Sequence, residues 1–241
     1  MSTATSALSG PCSRSLALRA ALGVLLLGLA GSAQAFPAID FTGGFNSETI
    51  PDRSFDLVST TDQLNQFAFS AAVQPVNHLP LWIELGYQYG NNGAPLHATG
   101  SADLDVNDVV LTAIFRHRLL SYFTWLVRAG PTLSVSRLAI ESSSGATDAA
   151  QWQVVPGVEG TLGLEVPFFA QDAEGLPDPE ESISRHVGVG LRLEAGYAWQ
   201  PKLAFNSLSG PGSGSIPSEA LAVGNIELQG VIIRASLFLR Y

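Results

Sequence analysis

The 241-residue chain contains one cysteine, Cys12, and four histidines. Cys12 precedes the N-terminal apolar stretch, where a lipoprotein acceptor cysteine would not sit, and no cysteine follows it. This excludes a disulfide framework, a thiolate metal site and a cysteine nucleophile, so stability must come from backbone pairing and burial. Basic residues are also scarce: twelve Lys and Arg against twenty-one Asp and Glu give a net charge of −9 at pH 7. Nucleic acid, whose phosphates require a basic face, is thereby excluded as a partner. Long apolar runs are missing too. Past residue 35 no uninterrupted run approaches the roughly 18 residues a membrane helix needs, which excludes a helical span but not a membrane.

Catalytic signatures are equally absent. There is no H-E-x-x-H, no G-x-S-x-G and no clustered His/Asp/Glu spacing. His78, His117 and His186 fall near strand ends and His97 in a connection, while Gly188 and Gly190 have no strand-to-helix context for a phosphate loop. The reading is a protein without enzymatic activity, cofactor or metal.

What is present begins with a leader. Arg14 and Arg19 form a positive n-region, Ala20 to Ala30 an apolar h-region, and Ala33-Gln34-Ala35 an A-x-A cleavage site. Residues 1–35 are therefore expected to be a signal peptide and 36–241 the domain that folds after export.

Past the leader, period-two alternation dominates. Apolar and polar or small positions alternate over 66–74, 81–89, 108–116, 123–136, 152–165, 187–199 and 231–241, with a weaker first strand over 38–46. Eight strands is the even number that closure of an antiparallel bacterial barrel requires. Pro131 and Pro156 fall on apolar faces inside two strands, where bulges are expected. The connections 47–62, 91–102, 138–150 and 200–222 read as long loops, and 75–80 and 119–122 as short turns. Long and short alternate as they do in outer-membrane barrels, with both chain ends on the short-turn, periplasmic side. The acidic connection 167–185 breaks that rule. It has no D-x-D-x-D-G spacing for calcium. Aromatics group into two girdles: Tyr87, Tyr89, Trp152, Tyr197 and Trp199 near outer strand ends, and Phe115, Phe123, Trp125 and Tyr241 near inner ends, with most mid-strand positions avoided. Together these features predict an all-β fold, a closed eight-stranded antiparallel up-and-down transmembrane β-barrel.

The stretch from Val231 to Tyr241 alternates strictly and ends on an aromatic residue. With Leu126-Val127-Arg128-Ala129-Gly130 and Leu191-Arg192-Leu193-Glu194-Ala195-Gly196-Tyr197, it resembles the bacterial outer-membrane β-barrel domain family. That family is typified by the transmembrane domain of outer membrane protein A and by opacity-type porins. The resemblance is one of pattern over nearly the whole exported part. It implies an assembly signal at Val231, Ile233, Leu237, Leu239 and Tyr241, read by the barrel-assembly machinery. It leaves the activity open, because such barrels serve as anchors, adhesins, pores and lipid-modifying enzymes.

Charged residues at polar-face positions supply the candidate site: Glu84, Asp108, Arg116, Arg128, Glu159, Arg192, Glu194 and Arg234. An arginine facing lipid near the midplane costs about 2–4 kcal/mol, so these residues should point inward. Glu194 with Arg234, Glu84 with Arg116, and Arg128 with Glu159 are expected at matching heights, forming a lumen ion-pair network. An eight-stranded barrel is narrow enough for such side chains to fill it. The primary reading is a structural or surface-exposed outer-membrane protein, a monomer whose partners are outer-membrane lipids and lipopolysaccharide. Alternatives are a narrow porin-like channel, a lipid A-modifying enzyme, and a soluble lipocalin-like barrel with reversed faces. The enzyme lacks the outward Ser and His that lipid A deacylases present.

Overall fold

The computed structural model describes residues 38–76, 79–96, 100–120, 123–142, 147–169, 188–205 and 224–240. The expected leader, His78, His97, His186, Tyr241 and the acidic residues between 170 and 185 lie outside the described residues. Eight long strands form one closed antiparallel barrel: β1 (Ile39–Thr49), β2 (Gln63–Val73), β3 (Leu81–Leu96), β4 (Gly100–Leu120), β5 (Phe123–Ser142), β6 (Thr147–Phe169), β7 (Gly188–Trp199) and, last in the chain, β10 (Gly230–Arg240). Two short strands, β8 (Leu203–Phe205) and β9 (Gly224–Ile226), make a separate ribbon between β7 and β10. Each barrel strand pairs with its sequence neighbour, and β1 closes on β10 in a ladder from Asp40–Arg240 to Thr49–Val231.

The two-residue period explains the sidedness. Successive side chains of a strand point to opposite faces. On β10, Ile232, Arg234, Ser236 and Phe238 are buried while Val231, Ile233, Ala235, Leu237 and Leu239 are exposed. Even-numbered positions face the lumen on β1 to β5, β7 and β10, and odd-numbered positions do so on β6.

Three expectations are corrected. The connections 91–102 and 138–150 are largely strand, because β3 continues to Leu96 and β4 resumes at Gly100, while β5 runs to Ser142 and β6 resumes at Thr147. The chemistry of the two faces exchanges along this extension. Ala102, Leu104, Val106 and Leu138 are buried, while Ser101, Asp103, Asp105 and Arg137 lie on the other face. A search for apolar-outward alternation therefore reads an inverted strand as a loop. The expected loop 200–222 likewise contains β8. Finally, neither Pro131 nor Pro156 makes a bulge. The β5–β6 register runs unbroken through Pro131–Val158 and Leu133–Pro156. On the other side, β4–β5 has the same register before and after its gap, at Val110–Thr132 and Ala113–Ala129. Proline removes a ladder donor there without an inserted residue. Next to it, a Cβ on Gly130 would stand 2.1 Å from the Leu111 carbonyl oxygen, so the strands approach more closely than any side chain permits. The register shifts occur at Arg118/Leu120, Ile140/Glu141 and Pro167/Phe169.

Candidate functional site: a layered lumen and its roof

The lumen is stacked in chemically distinct layers. At the end that holds Ala38 and the β2–β3 turn, Ala38, Ala72, Trp82, Ile114 and Leu126 pack as an apolar floor. Above it lies a charged lattice. Arg192 reaches Asp40 and Glu165, both at 2.8 Å, and Glu84 at 3.4 Å. Arg116 pairs with Asp40 and, at 3.1 Å, with Glu165. Arg240 pairs with the same two carboxylates at 3.3 and 2.8 Å. Arg128 binds Glu84 at 2.7 Å and also Glu159, and Arg234 reaches Glu159 at 3.4 Å and Glu194 at 3.8 Å. Aromatic faces back the lower guanidiniums: Arg116 lies 4.2 Å and Arg240 5.3 Å from the Trp82 ring centre.

All eight charged positions singled out from the sequence are buried, but their partners differ from expectation in two places. Glu84 does not pair with Arg116. The register sets Glu84 opposite Thr112, four residues from Arg116, which places Arg116 beside Asp40 and Glu165 instead. Asp108 joins no ion pair among the described residues; its Oδ2 accepts a 2.7 Å hydrogen bond from Gln66 Nε2. Sequence reasoning did not single out Asp40, Glu48, Glu165 or Arg240. Parity was the available signal, since each shares the lumen-facing phase of its strand.

Above the lattice, amides replace guanidiniums. Asn46 Nδ2 donates to Gln66 Oε1 at 2.8 Å and to Gln88 Oε1 at 2.9 Å, and Gln88 Nε2 donates to Glu159 at 3.2 Å. One cavity of about 20 Å³, lined by Ser70, Gly86, Gln88, Arg128, Arg192 and Ser236 among others, leaves room for about one water.

A roof closes the stack. Its apolar residues come from the connection after β1 (Ile50, Phe55, Val58), from the inverted strand extensions (Leu104, Val106, Leu138) and from the ribbon region (Leu203, Phe205, Ile226, Leu228). Asp52 ties two of these parts together. Its Oδ1 caps the 3-10 turn Arg53–Leu57 by accepting from Ser54 N at 3.1 Å, and its Oδ2 accepts from Glu227 N at 2.8 Å. Gln153 of β6 donates to the Ala204 carbonyl at 2.8 Å and anchors the ribbon to the wall. On the solvent side Lys202 pairs with Glu227, whose carboxylate holds the ammonium pKa above its ordinary value.

The outer surface is apolar over the height of the charged lattice. Phe67, Ile233 and Leu162 are 62, 63 and 64 % exposed. Tyr87, Tyr89, Trp152, Tyr197 and Trp199 are exposed toward the roof end. Toward the other end, Phe115 and Phe123 are exposed, and Trp125 is half-buried with its ring 5.8 Å from Phe115. Aromatics also occupy the middle. Phe41, Phe45, Phe67 and Phe69 all face outward on β1 and β2, with Phe45 and Phe67 edge-to-face at 6.0 Å. Phenylalanine lacks the polar tip that draws Tyr and Trp to a water boundary, so a wholly apolar belt accommodates it. Val231, Ile233, Leu237 and Leu239 are exposed on the same surface.

No protein-family model matches the chain, and no curated protein matches it. Among solved structures, the chain is similar to Ail, the attachment invasion locus protein of Yersinia pestis, solved in complex with the heparin analogue sucrose octasulfate. Identity is 10 % and the TM-score 0.44, over 85 % of this chain and 99 % of Ail. Neisserial surface protein A matches at 12 % identity and a TM-score of 0.43, over 85 % and 96 %. The outer membrane protein OprG from Pseudomonas aeruginosa matches at 9 % identity and 0.47, over 85 % and 96 %.

Proposed function

We propose that the chain is an integral protein of a bacterial outer membrane, with a structural or surface-exposed role and a lumen filled by paired side chains. The observation that carries this reading is the inverted polarity of the closed sheet. Over one band of height the charges are inside and the apolar side chains outside, and above that band the arrangement reverses. A water-soluble barrel would expose a continuous apolar ring far larger than soluble monomers tolerate. Lipid removes that penalty, and closure satisfies every strand edge within it. The reversal at Tyr87, Tyr89, Trp152 and Trp199 then marks the outer lipid–water boundary, with the inverted extensions and the roof outside.

The layered interior supports a plug more than a conduit. Five arginines cross-link the lumen, and apolar residues lie below and above them. The roof is the part available to lipopolysaccharide or another surface, and the role proposed for it is non-enzymatic. Cell fractionation followed by electrophoresis of boiled and unboiled samples tests the membrane assignment. Heat-modifiable migration in the outer-membrane fraction is expected, and recovery in the soluble periplasm would end the reading. Planar bilayers test the plug: steps of steady single-channel conductance would replace it with a pore.

A further inference from the structure

Glycine inside a strand weakens it, and its presence marks a bulge, a bend, or a close approach by another backbone or a ligand. Backbone approach accounts for most glycines of the wall. A Cβ on Gly130, Gly163, Gly190 or Gly196 would stand 2.7 Å or less from a carbonyl oxygen of a neighbouring strand. Gly160 is different. A Cβ there would meet nothing nearer than 3.9 Å, and its φ is one that any residue adopts. No bulge interrupts it either, since the ladder runs unbroken through Ala129–Gly160 on one side and Gly160–Tyr197 on the other. Folding does not require a glycine at this position, which leaves the approach of a ligand.

The missing side chain opens a groove. It measures about 450 Å³ on the outer wall over β5, β6 and β7, and Ala129, Pro131, Val158, Gly160, Tyr197 and Trp199 line it. Two cross-strand rows build it. Ala129, Gly160 and Tyr197 stand opposite one another, and Pro131, Val158 and Trp199 form the next row toward the roof. The row on the other side holds Val127, Leu162 and Ala195, with Leu162 among the most exposed residues of the belt. Gly160 therefore lies between the larger outward side chains of Val158 and Leu162 along β6. Of the outward side chains that line the groove, only those of Tyr197 and Trp199 carry a polar atom. Its volume falls within the range of small-molecule sites, about 300–1,000 Å³.

We propose that this groove seats one acyl chain of an outer-leaflet membrane lipid, packed against Gly160 and Ala129 beside Tyr197 and Trp199. The inference rests on the membrane reading above and adds to it a fixed lipid position. Leu162, one row below, belongs to the apolar belt, so the groove is continuous with that belt and is covered by whatever covers it. Among lipid tails the hydrophobic effect gives no preference, and close packing against small residues decides which chain stays. A chain lying in the groove meets more wall atoms than one crossing Leu162, and each added contact brings dispersion attraction. The indole N–H of Trp199 and the hydroxyl of Tyr197 suit the ester and headgroup end of the same lipid, as such rings do at a lipid–water boundary.

The test folds the complete exported chain into phosphatidylcholine vesicles that contain a small fraction of phosphatidylcholine with a photoactivatable diazirine on one acyl chain. Cross-links should concentrate on peptides carrying residues 129–131, 158–160 and 197–199, several-fold above the apolar stretch 233–239 of β10. Gly160→Leu and Ala129→Leu each fill the groove with an outward side chain and should lower those cross-links to the level of β10. Ala235→Leu, at an exposed position of β10, should leave the pattern unchanged. Even labelling around the belt would overturn the proposal, as would a Gly160→Leu protein labelled like the parent. A dimer in the vesicles that Gly160→Leu dissolves would give the groove to a second copy and overturn it too. If the leucine variants fail to insert, the parent's labelling pattern decides. Absence of heat-modifiable migration in the parent would count against the membrane barrel instead, which separates the two failures.

Discussion

Arg128 Nε donates to Glu84 Oε1 at 2.7 Å across a strand that lies between them: Arg128 stands on β5, Glu84 on β3, and Thr112 of the intervening β4 touches both. A contact that spans three strands fixes the lumen cross-section in a way no neighbouring pair can. Arg128→Met should leave Glu84 and Glu159 short of a counter-charge and destabilise the barrel by about 3–5 kcal/mol, the usual penalty for stranding a buried ion. Urea unfolding in vesicles, followed by tryptophan fluorescence, measures it. Adding Glu84→Gln should recover part of the loss, and a double variant worse than the single would contradict the pairing.

Arg234→Ala should be milder. Its contacts to Glu159 and Glu194 are 3.4 and 3.8 Å, and Glu194 keeps a 2.6 Å hydrogen bond from Thr161 while Glu159 keeps Arg128. A loss of about 1–3 kcal/mol is expected in the same assay. Equal or greater damage than Arg128→Met would mean the two layers are ranked wrongly.

Glycine substitutions probe the approach of the strands. A Cβ on Gly196 would fall 2.0 Å from the Gly160 carbonyl oxygen, whereas one on Gly160 would meet nothing nearer than 3.9 Å. Gly196→Ala should force β6 and β7 apart and lose about 1–3 kcal/mol by overpacking. Gly160→Ala should fold and unfold like the parent, and a reversed order would refute the geometry.

Tryptophan quenching tests which side faces lipid. Single-tryptophan proteins keeping Trp152 or Trp199, both exposed, should be quenched by brominated lipids, those brominated near the headgroup most strongly. Trp82 is 3 % exposed beneath two guanidiniums and should stay bright. Equal quenching of Trp82 and Trp199 would reverse the proposed orientation.

The roof should yield separately from the barrel. Asp52→Ala removes a cap and the bond to Glu227 N, so about 1 kcal/mol of local order is lost. Hydrogen exchange should quicken over 50–58 and 224–228, with the β1–β10 ladder unchanged. By contrast, Lys202 contributes through Glu227 only while charged. Its pKa is raised above the ordinary 10.5, so that contact is present at neutral pH and lost only as alkaline pH passes the raised value. A roof that loosens between pH 6 and 8 would assign its cohesion to other groups.

Period two and the chemistry of the two faces were legible from the sequence alone. Alternation gives strand sidedness, an even strand number suits closure, and the cost of setting a charge against lipid gives the expected burial of Glu84, Arg128 and Arg192. Partner choice was not legible. Tilt and register carry Arg116 to Asp40 and Glu165 on other strands, and no count along one strand reveals which residues meet across a closed lumen. The upper extensions were hidden for a related reason: Leu104 and Leu138 point inward as apolar residues only because β8, β9 and the turn after β1 fold over them. The lattice's charge balance likewise exists only in three dimensions, where distance decides which carboxylate each guanidinium reaches.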